Sequence, residues 1–106
     1  MKIVVIAHEE LRPVLDEWRR SFDGTREERK RIADALWAEF VQSIVDARGL
    51  PKNYEKDETT EPPTYWVNFP GGLANIIIEP DRREGFFSKV RRILVIELNF
   101  SPGLRG

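Results

Sequence analysis

Five basic residues lie close together near the carboxyl end of the sequence, with two aromatic residues between them. The basic residues are Arg82, Arg83, Lys89, Arg91 and Arg92, and the aromatic residues are Phe86 and Phe87. Arginine binds phosphate through two parallel hydrogen bonds, and an aromatic ring stacks on a nucleic-acid base. The combination is typical of a surface that binds single-stranded RNA. The alternative is a solvated loop whose arginines pair with Asp81 and Glu84 while the phenylalanines complete the core.

A second group of cations lies further toward the amino terminus. It comprises Arg26, Arg29, Lys30 and Arg31, and Arg19 and Arg20 extend it. Cations in the first turns of a helix oppose the helix dipole, so helix stability does not explain them. The acidic residues Glu27, Glu28 and Asp34 can offset them by close pairing, which favours an ordinary solvated helix face.

Several other chemistries are excluded or disfavoured by residue types. The chain has no cysteine, and His8 is its only histidine. Thiolate metal sites and cysteine nucleophiles are therefore excluded, and histidine-rich metal sites are absent. Gly71 and Gly72 lie between two predicted strands and indicate a turn rather than a phosphate-binding loop. The sequence predicts no cofactor and no metal site.

Length and composition predict one domain over residues 1–106. The chain is 41% apolar and 33% charged with a formal net charge of −1, which is an ordinary globular composition. After residue 64, six basic residues face four acidic ones, so a local anion site remains open there. The apolar run Ile3–Ala7 is too short for a signal peptide or a membrane helix. We therefore expect a cytoplasmic protein that makes no membrane contact.

Apolar periodicity predicts two helices and four strands. The predicted strands are 1–7, 64–69, 73–79 and 90–100, the predicted helices are about 10–24 and 25–48, and 51–63 and 80–85 are predicted loops. Thr25 and Glu28 have the spacing of a capping box. The order β-α-α-β-β-β predicts an α+β domain with two layers. In it, a helical hairpin packs on a mainly antiparallel four-stranded sheet.

Trp66 is a further candidate for contact with a ligand. Alternation along its strand places Tyr65, Val67 and Phe69 on one face and Trp66 with Asn68 on the other. We expect Trp66 to be exposed on the face away from the helices. An exposed aromatic residue there is either a stacking platform for RNA or part of a protein-binding surface.

The order of the elements and the residue pattern of the second half of the chain resemble those of the RelE/ParE toxin superfamily. The similar segments are Tyr65–Phe69 before a Gly-Gly turn, then Asn75–Ile78, then Arg92–Leu98. The resemblance covers nearly the whole chain as architecture and includes no diagnostic motif. It implies the toxin component of a bacterial type II toxin–antitoxin pair, with a cognate antitoxin protein as partner.

RelE-like members of this superfamily cleave mRNA on the ribosome without a metal, and ParE-like members inhibit DNA gyrase. For an endoribonuclease, the resemblance implies that Arg82, Arg83, Lys89, Arg91 and Arg92 supply catalytic charge stabilisation. This sequence has no tyrosine or histidine after Pro80, where many RelE-like members have one. The alternative function is a non-enzymatic module of the same fold that docks a protein through its sheet.

Overall fold

The fold consists of one sheet and two adjacent helices. A computed structural model of the chain describes residues 1–86 and 88–100. The strands are β1 (Lys2–Ala7), β2 (Glu55–Asp57), β3 (Thr64–Phe69), β4 (Gly72–Ile78), β5 (Arg82–Glu84) and β6 (Ser88–Phe100). The helices are α1 (Arg12–Arg20), which a 3-10 helix (Glu9–Leu11) precedes, and α2 (Arg26–Asp46). The α+β class is confirmed, and no helix in this described part is long and apolar enough to cross a membrane.

The six strands form one mostly antiparallel sheet in the order β1-β6-β4-β3-β2. Among the strands of the described residues, only β1 and β6 pair in parallel. Strand β5 pairs with the first residues of β6, opposite the side that β1 occupies, so β4 and β5 lie one after the other along β6. The prediction of four strands was therefore wrong in number, and its strand order differs in detail.

The two strands that the sequence did not predict are short and polar. Strand β2 lies within the predicted loop 51–63 and pairs with β3, and β5 lies within the predicted loop 80–85. Each has three residues and no apolar one, so neither shows the alternation that marks a strand. Both are extended because a longer neighbouring strand offers them a hydrogen-bonding edge.

Both helices pack on the same face of the sheet, which we call the helix face. Trp18 of α1 and Phe40 of α2 meet Phe69 of β3, with ring centroids 4.9 and 5.2 Å from it. The Trp18 indole also donates a 3.2 Å hydrogen bond to the Pro70 carbonyl in the β3–β4 turn. The predicted cap of α2 is confirmed, because Thr25 Oγ1 accepts from the Glu28 backbone N–H. The core thus fixes the hairpin of helices against the centre of the sheet.

The opposite face, which we call the open face, carries apolar side chains that no helix covers in the described residues. Its half-buried members are Val4, Ile6, Trp66, Ile77 and Leu94. Strand β1 is an edge strand that packs on the helices through one side only. Its continuous β-branched run therefore contributes to the open face as well as to the core.

Candidate nucleic-acid interface

The predicted basic cluster forms a β-hairpin at one end of the sheet, which we call the basic hairpin (residues 82–92). Strands β5 and β6 pair antiparallel, and Gly85, directly after β5, has a φ of 74° that favours glycine. Phe86 at the tip is 88% exposed. Phe87, the other aromatic candidate, lies outside the described residues.

The five cations of the basic hairpin divide between its two faces. Arg83 lies directly opposite Lys89, and Arg82 lies directly opposite Val90. Since neighbouring residues on a strand point to opposite faces, Arg83, Lys89 and Arg91 share the side of the helices. Arg82 and Arg92 lie on the side of the open face. The fold therefore brings the five cations into one hairpin but not onto one surface.

Arg91 ties the hairpin to the body of the protein. Its Nε and Nη2 donate to both carboxylate oxygens of Asp81, at 2.8 and 3.1 Å, and its Nη1 donates to the Arg48 carbonyl at 2.6 Å. Arg48 follows α2, so Arg91 satisfies a carbonyl beyond the end of that helix. The hydrogen bonds and charge of Arg91, with a contribution from Lys89, hold the pKa of Asp81 below its usual value. The guanidinium of Arg91 is therefore occupied by contacts that stabilise the fold, and it is not available to a ligand.

Glu79 engages the two arginines on the open side. Its carboxylate oxygens lie 3.4 Å from Arg92 Nε and 3.8 Å from Arg82 Nη2. The oxygen nearer to Arg92 is buried and accepts no aligned hydrogen bond in the described residues. Glu79 therefore offsets both positive charges and anchors the start of the β4-to-β5 link.

Arg82, Arg83 and Lys89 are the exposed cations of the basic hairpin, and of these Arg82 lies near Glu79. Neither Arg83 nor Lys89 forms an ion pair with any residue in 1–86 or 88–100. Like charges directly opposite each other destabilise a two-stranded ladder. The stability of the hairpin therefore does not explain why two cations occupy these positions. Each of them is three residues from the exposed Phe86.

Trp66 lies apart from the basic hairpin. Trp66 lies opposite Asn75 on β4, and Asn75 lies opposite Glu97 on β6. Glu97 is seven residues along β6 from Val90, where the basic hairpin pairs, which is a distance of roughly 20 Å. Trp66 had been expected to be exposed, but it is half-buried, and it lies opposite Glu55 of β2. The pKa of Asp57 is lowered mainly by hydrogen bonds from Thr59, and Trp66 adds to this effect. Trp66 therefore belongs to the open face and not to the same site as Phe86.

Sequence reasoning grouped the basic residues but missed what holds three of them. Asp81 had been weighed as a partner, yet Glu79 and the Arg48 carbonyl were not, because only the strand register and the end of α2 bring them to the hairpin.

Within residues 1–86 and 88–100, no cluster of three or more His, Cys, Asp or Glu side chains could hold a metal ion. Comparison of the chain with protein-family models, curated proteins and solved structures finds no match in any of the three.

Proposed function

We propose that this chain binds single-stranded RNA through the basic hairpin. The observation that carries the proposal is the exposed cross-strand pair of Arg83 and Lys89, which forms no ion pair within residues 1–86 and 88–100. Each of the two is three residues from Phe86, which is exposed at the tip of the hairpin. Two cations opposite each other have Cβ atoms about 5 Å apart, so both can contact neighbouring phosphate oxygens of one strand. Phe86 offers a face on which an unpaired base can stack.

The biological role that we propose is the toxin component of a bacterial toxin–antitoxin pair. Its support is the order of elements, with one strand, two adjacent helices and then a set of strands that returns beside the first, as the resemblance to RelE/ParE toxins implies. A cognate antitoxin is the protein partner in this proposal, and mRNA on the ribosome is the proposed RNA.

The proposal also includes cleavage of the bound RNA. The 2′-oxygen would bond to phosphorus while the bond to the 5′-oxygen breaks; the 2′-proton leaves to solvent and a proton returns to the 5′-oxygen. Since Arg82, Arg91 and Arg92 are engaged by carboxylates, Arg83 and Lys89 are the groups assigned to stabilise the charge of the phosphorane.

Controlled expression in a bacterial host tests this role. We expect the wild type to slow growth and to shorten or occlude transcripts, and R83Q/K89Q to relieve the effect. The matched control is R31Q/K56Q, which removes two cations from α2 and β2, away from the hairpin. A wild type that leaves growth unchanged, or an R83Q/K89Q variant as toxic as the wild type, would refute the toxin role.

A second candidate function, a protein-docking module, is favoured by the open face. Half-buried apolar side chains lie on this face, and Asn75 Oδ1 on the same face is buried and accepts no hydrogen bond in the described residues. Such a face suits burial under a partner protein. The discriminating variant is Leu94→Lys, which should abolish binding of a partner captured by the open face and leave RNA binding through the hairpin intact.

A further inference from the structure

A cleft opens where the end of α1 meets the start of α2. Its volume is about 590 Å³. The lining residues are Asp16, Arg19, Arg20, Arg26, Arg29 and Lys30. We call this surface the helix cleft. Five of its six lining residues are cations, so it carries a formal charge of +4 on a chain whose total is −1.

The acidic residues near the helix cleft engage only one of its cations. Arg19 lies 3.7 Å from Asp16 and 3.9 Å from Asp34. The other four cations form no ion pair within the part of the chain that the structure describes. Glu28, which the sequence analysis expected to offset them, instead accepts a hydrogen bond from Thr25 Oγ1 at 3.2 Å. Four of the five cations that line the cleft are therefore not held by a carboxylate in the described residues.

The stability of α2 does not account for these cations. Arg26, Arg29 and Lys30 lie in its first two turns, where positive charge opposes the helix dipole. Arg26 and Lys30 are also four residues apart, a spacing at which like charges repel on a helix. Their spacing places all three on one side of α2, the side that lines the cleft.

The helix cleft is distinct from the basic hairpin. Arg91 of the hairpin binds the Arg48 carbonyl just beyond the end of α2, whereas the cleft lies at the beginning of α2. The 21 residues of α2 separate the two ends by about 30 Å. A ligand in the cleft therefore does not need the hairpin, and the two sites can be tested independently.

We propose that the helix cleft is a second anion site, which binds consecutive phosphate groups. Guanidinium groups make two-point contacts with phosphate oxygens, and four unpaired cations around one open cleft can engage more than one phosphate. None of the six described residues that line the cleft is aromatic, so they would contact the phosphates and not the bases. The two sources of this chemistry are the backbone of an RNA strand and a free polyphosphate.

An NMR titration tests the site with two probes, inorganic tripolyphosphate and a ten-nucleotide oligouridylate. Amide signals of residues 19–30 should shift with tripolyphosphate while those of 82–89 report separately on the hairpin. The variant R26Q/R29Q should lose these shifts, and the control R31Q/K56Q should keep them, because neither of its residues lines the cleft.

The outcomes separate the two sources and the two sites. If the oligouridylate also shifts residues 19–30, R26Q/R29Q should make the negative slope of log K against log salt shallower by about 1.4, since each single-strand phosphate contact contributes about 0.7 to its magnitude. Shifts with tripolyphosphate alone would assign the cleft to a free polyphosphate. No shift at 19–30 with either probe, or equal losses in R26Q/R29Q and R31Q/K56Q, would overturn the proposal, whatever the hairpin signals show.

Discussion

Arg91 holds both carboxylate oxygens of Asp81, with Nε 2.8 Å from Oδ1 and Nη2 3.1 Å from Oδ2. Asp81 lies in the link between β4 and β5, and Arg91 lies on β6. The pair therefore fixes the point where the sheet continues into the basic hairpin. Through the Arg48 carbonyl, the same guanidinium also connects the hairpin to the end of α2.

Replacing Arg91 should destabilise the fold more than replacing an exposed cation of the same hairpin. Arg91→Gln removes a bidentate pair and leaves the Arg48 carbonyl without this donor, so we expect the free energy of unfolding to fall by about 1–2 kcal/mol. Arg83→Gln should change it by no more than about 0.5 kcal/mol. Urea denaturation measures both, and equal effects would contradict the assigned roles.

The pair should also make stability depend on pH. The pKa of Asp81 is lower in the folded than in the unfolded protein, mainly because of the hydrogen bonds from Arg91. The stabilisation that Asp81 contributes is therefore complete above its ordinary pKa of 3.8, and it is lost as the pH falls through the lower pKa of the folded protein. Asp81→Asn should be less stable than the wild type at pH 7, and the difference should shrink by pH 2.5. A difference independent of pH would show that ionisation of Asp81 contributes nothing.

Substitution by alanine should destabilise the protein more at Gly72 than at Gly85. A Cβ at Gly72 would lie 1.8 Å from the Asn99 backbone oxygen, so Gly72→Ala must push β4 away from β6. We expect a loss of more than about 2 kcal/mol of unfolding free energy. Gly85 has open space around its Cβ position but a φ of 74°, so Gly85→Ala should cost about 1–2 kcal/mol through backbone strain alone. Thermal denaturation of both variants checks the order, and a milder effect at Gly72 would contradict the close strand approach.

Backbone amides at the edge of the sheet should be less protected from hydrogen exchange than those at its centre. Strand β2 pairs on one side only and carries no apolar residue, whereas β6 pairs on both sides. Amides of Glu55–Asp57 should therefore exchange much faster than those of Ile93–Leu98 in native-state hydrogen exchange. Comparable protection in the two segments would mean that β2 is an integral part of the sheet.

Elements with strong periodicity were predictable from the sequence. The bounds of β3 agree with the predicted strand 64–69, and α2 begins directly after its predicted cap, Thr25. The 3-10 turn before α1 was not predicted, because Glu9 and Glu10 suit an α-helix equally well and His8 Nδ1 instead accepts from Glu10 N–H. The short strands β2 and β5 depend on a neighbour's free edge, which local residue patterns do not encode.

The candidate site was predictable as a group of residues but not as an arrangement. Composition and spacing grouped Arg82 to Arg92, yet the division between two faces follows from the register of β5 and β6. The distinction between the engaged Arg91 and the exposed Lys89 depends on Asp81 and on the end of α2, which are remote in sequence. These are tertiary contacts, so a single sequence could not rank the five cations.

The central claim is that Arg83, Lys89 and Phe86 bind single-stranded RNA. Fluorescence anisotropy with a labelled ten-nucleotide oligouridylate at several salt concentrations measures this directly. We predict that the wild type binds and that R83Q/K89Q makes the negative slope of log K against log salt shallower by about 1.4. Phe86→Ala should weaken binding about 5- to 150-fold through the loss of one stacked base, while R31Q/K56Q changes the affinity far less. A wild type that does not bind at low salt, or hairpin variants that bind as the wild type does, would contradict the claim.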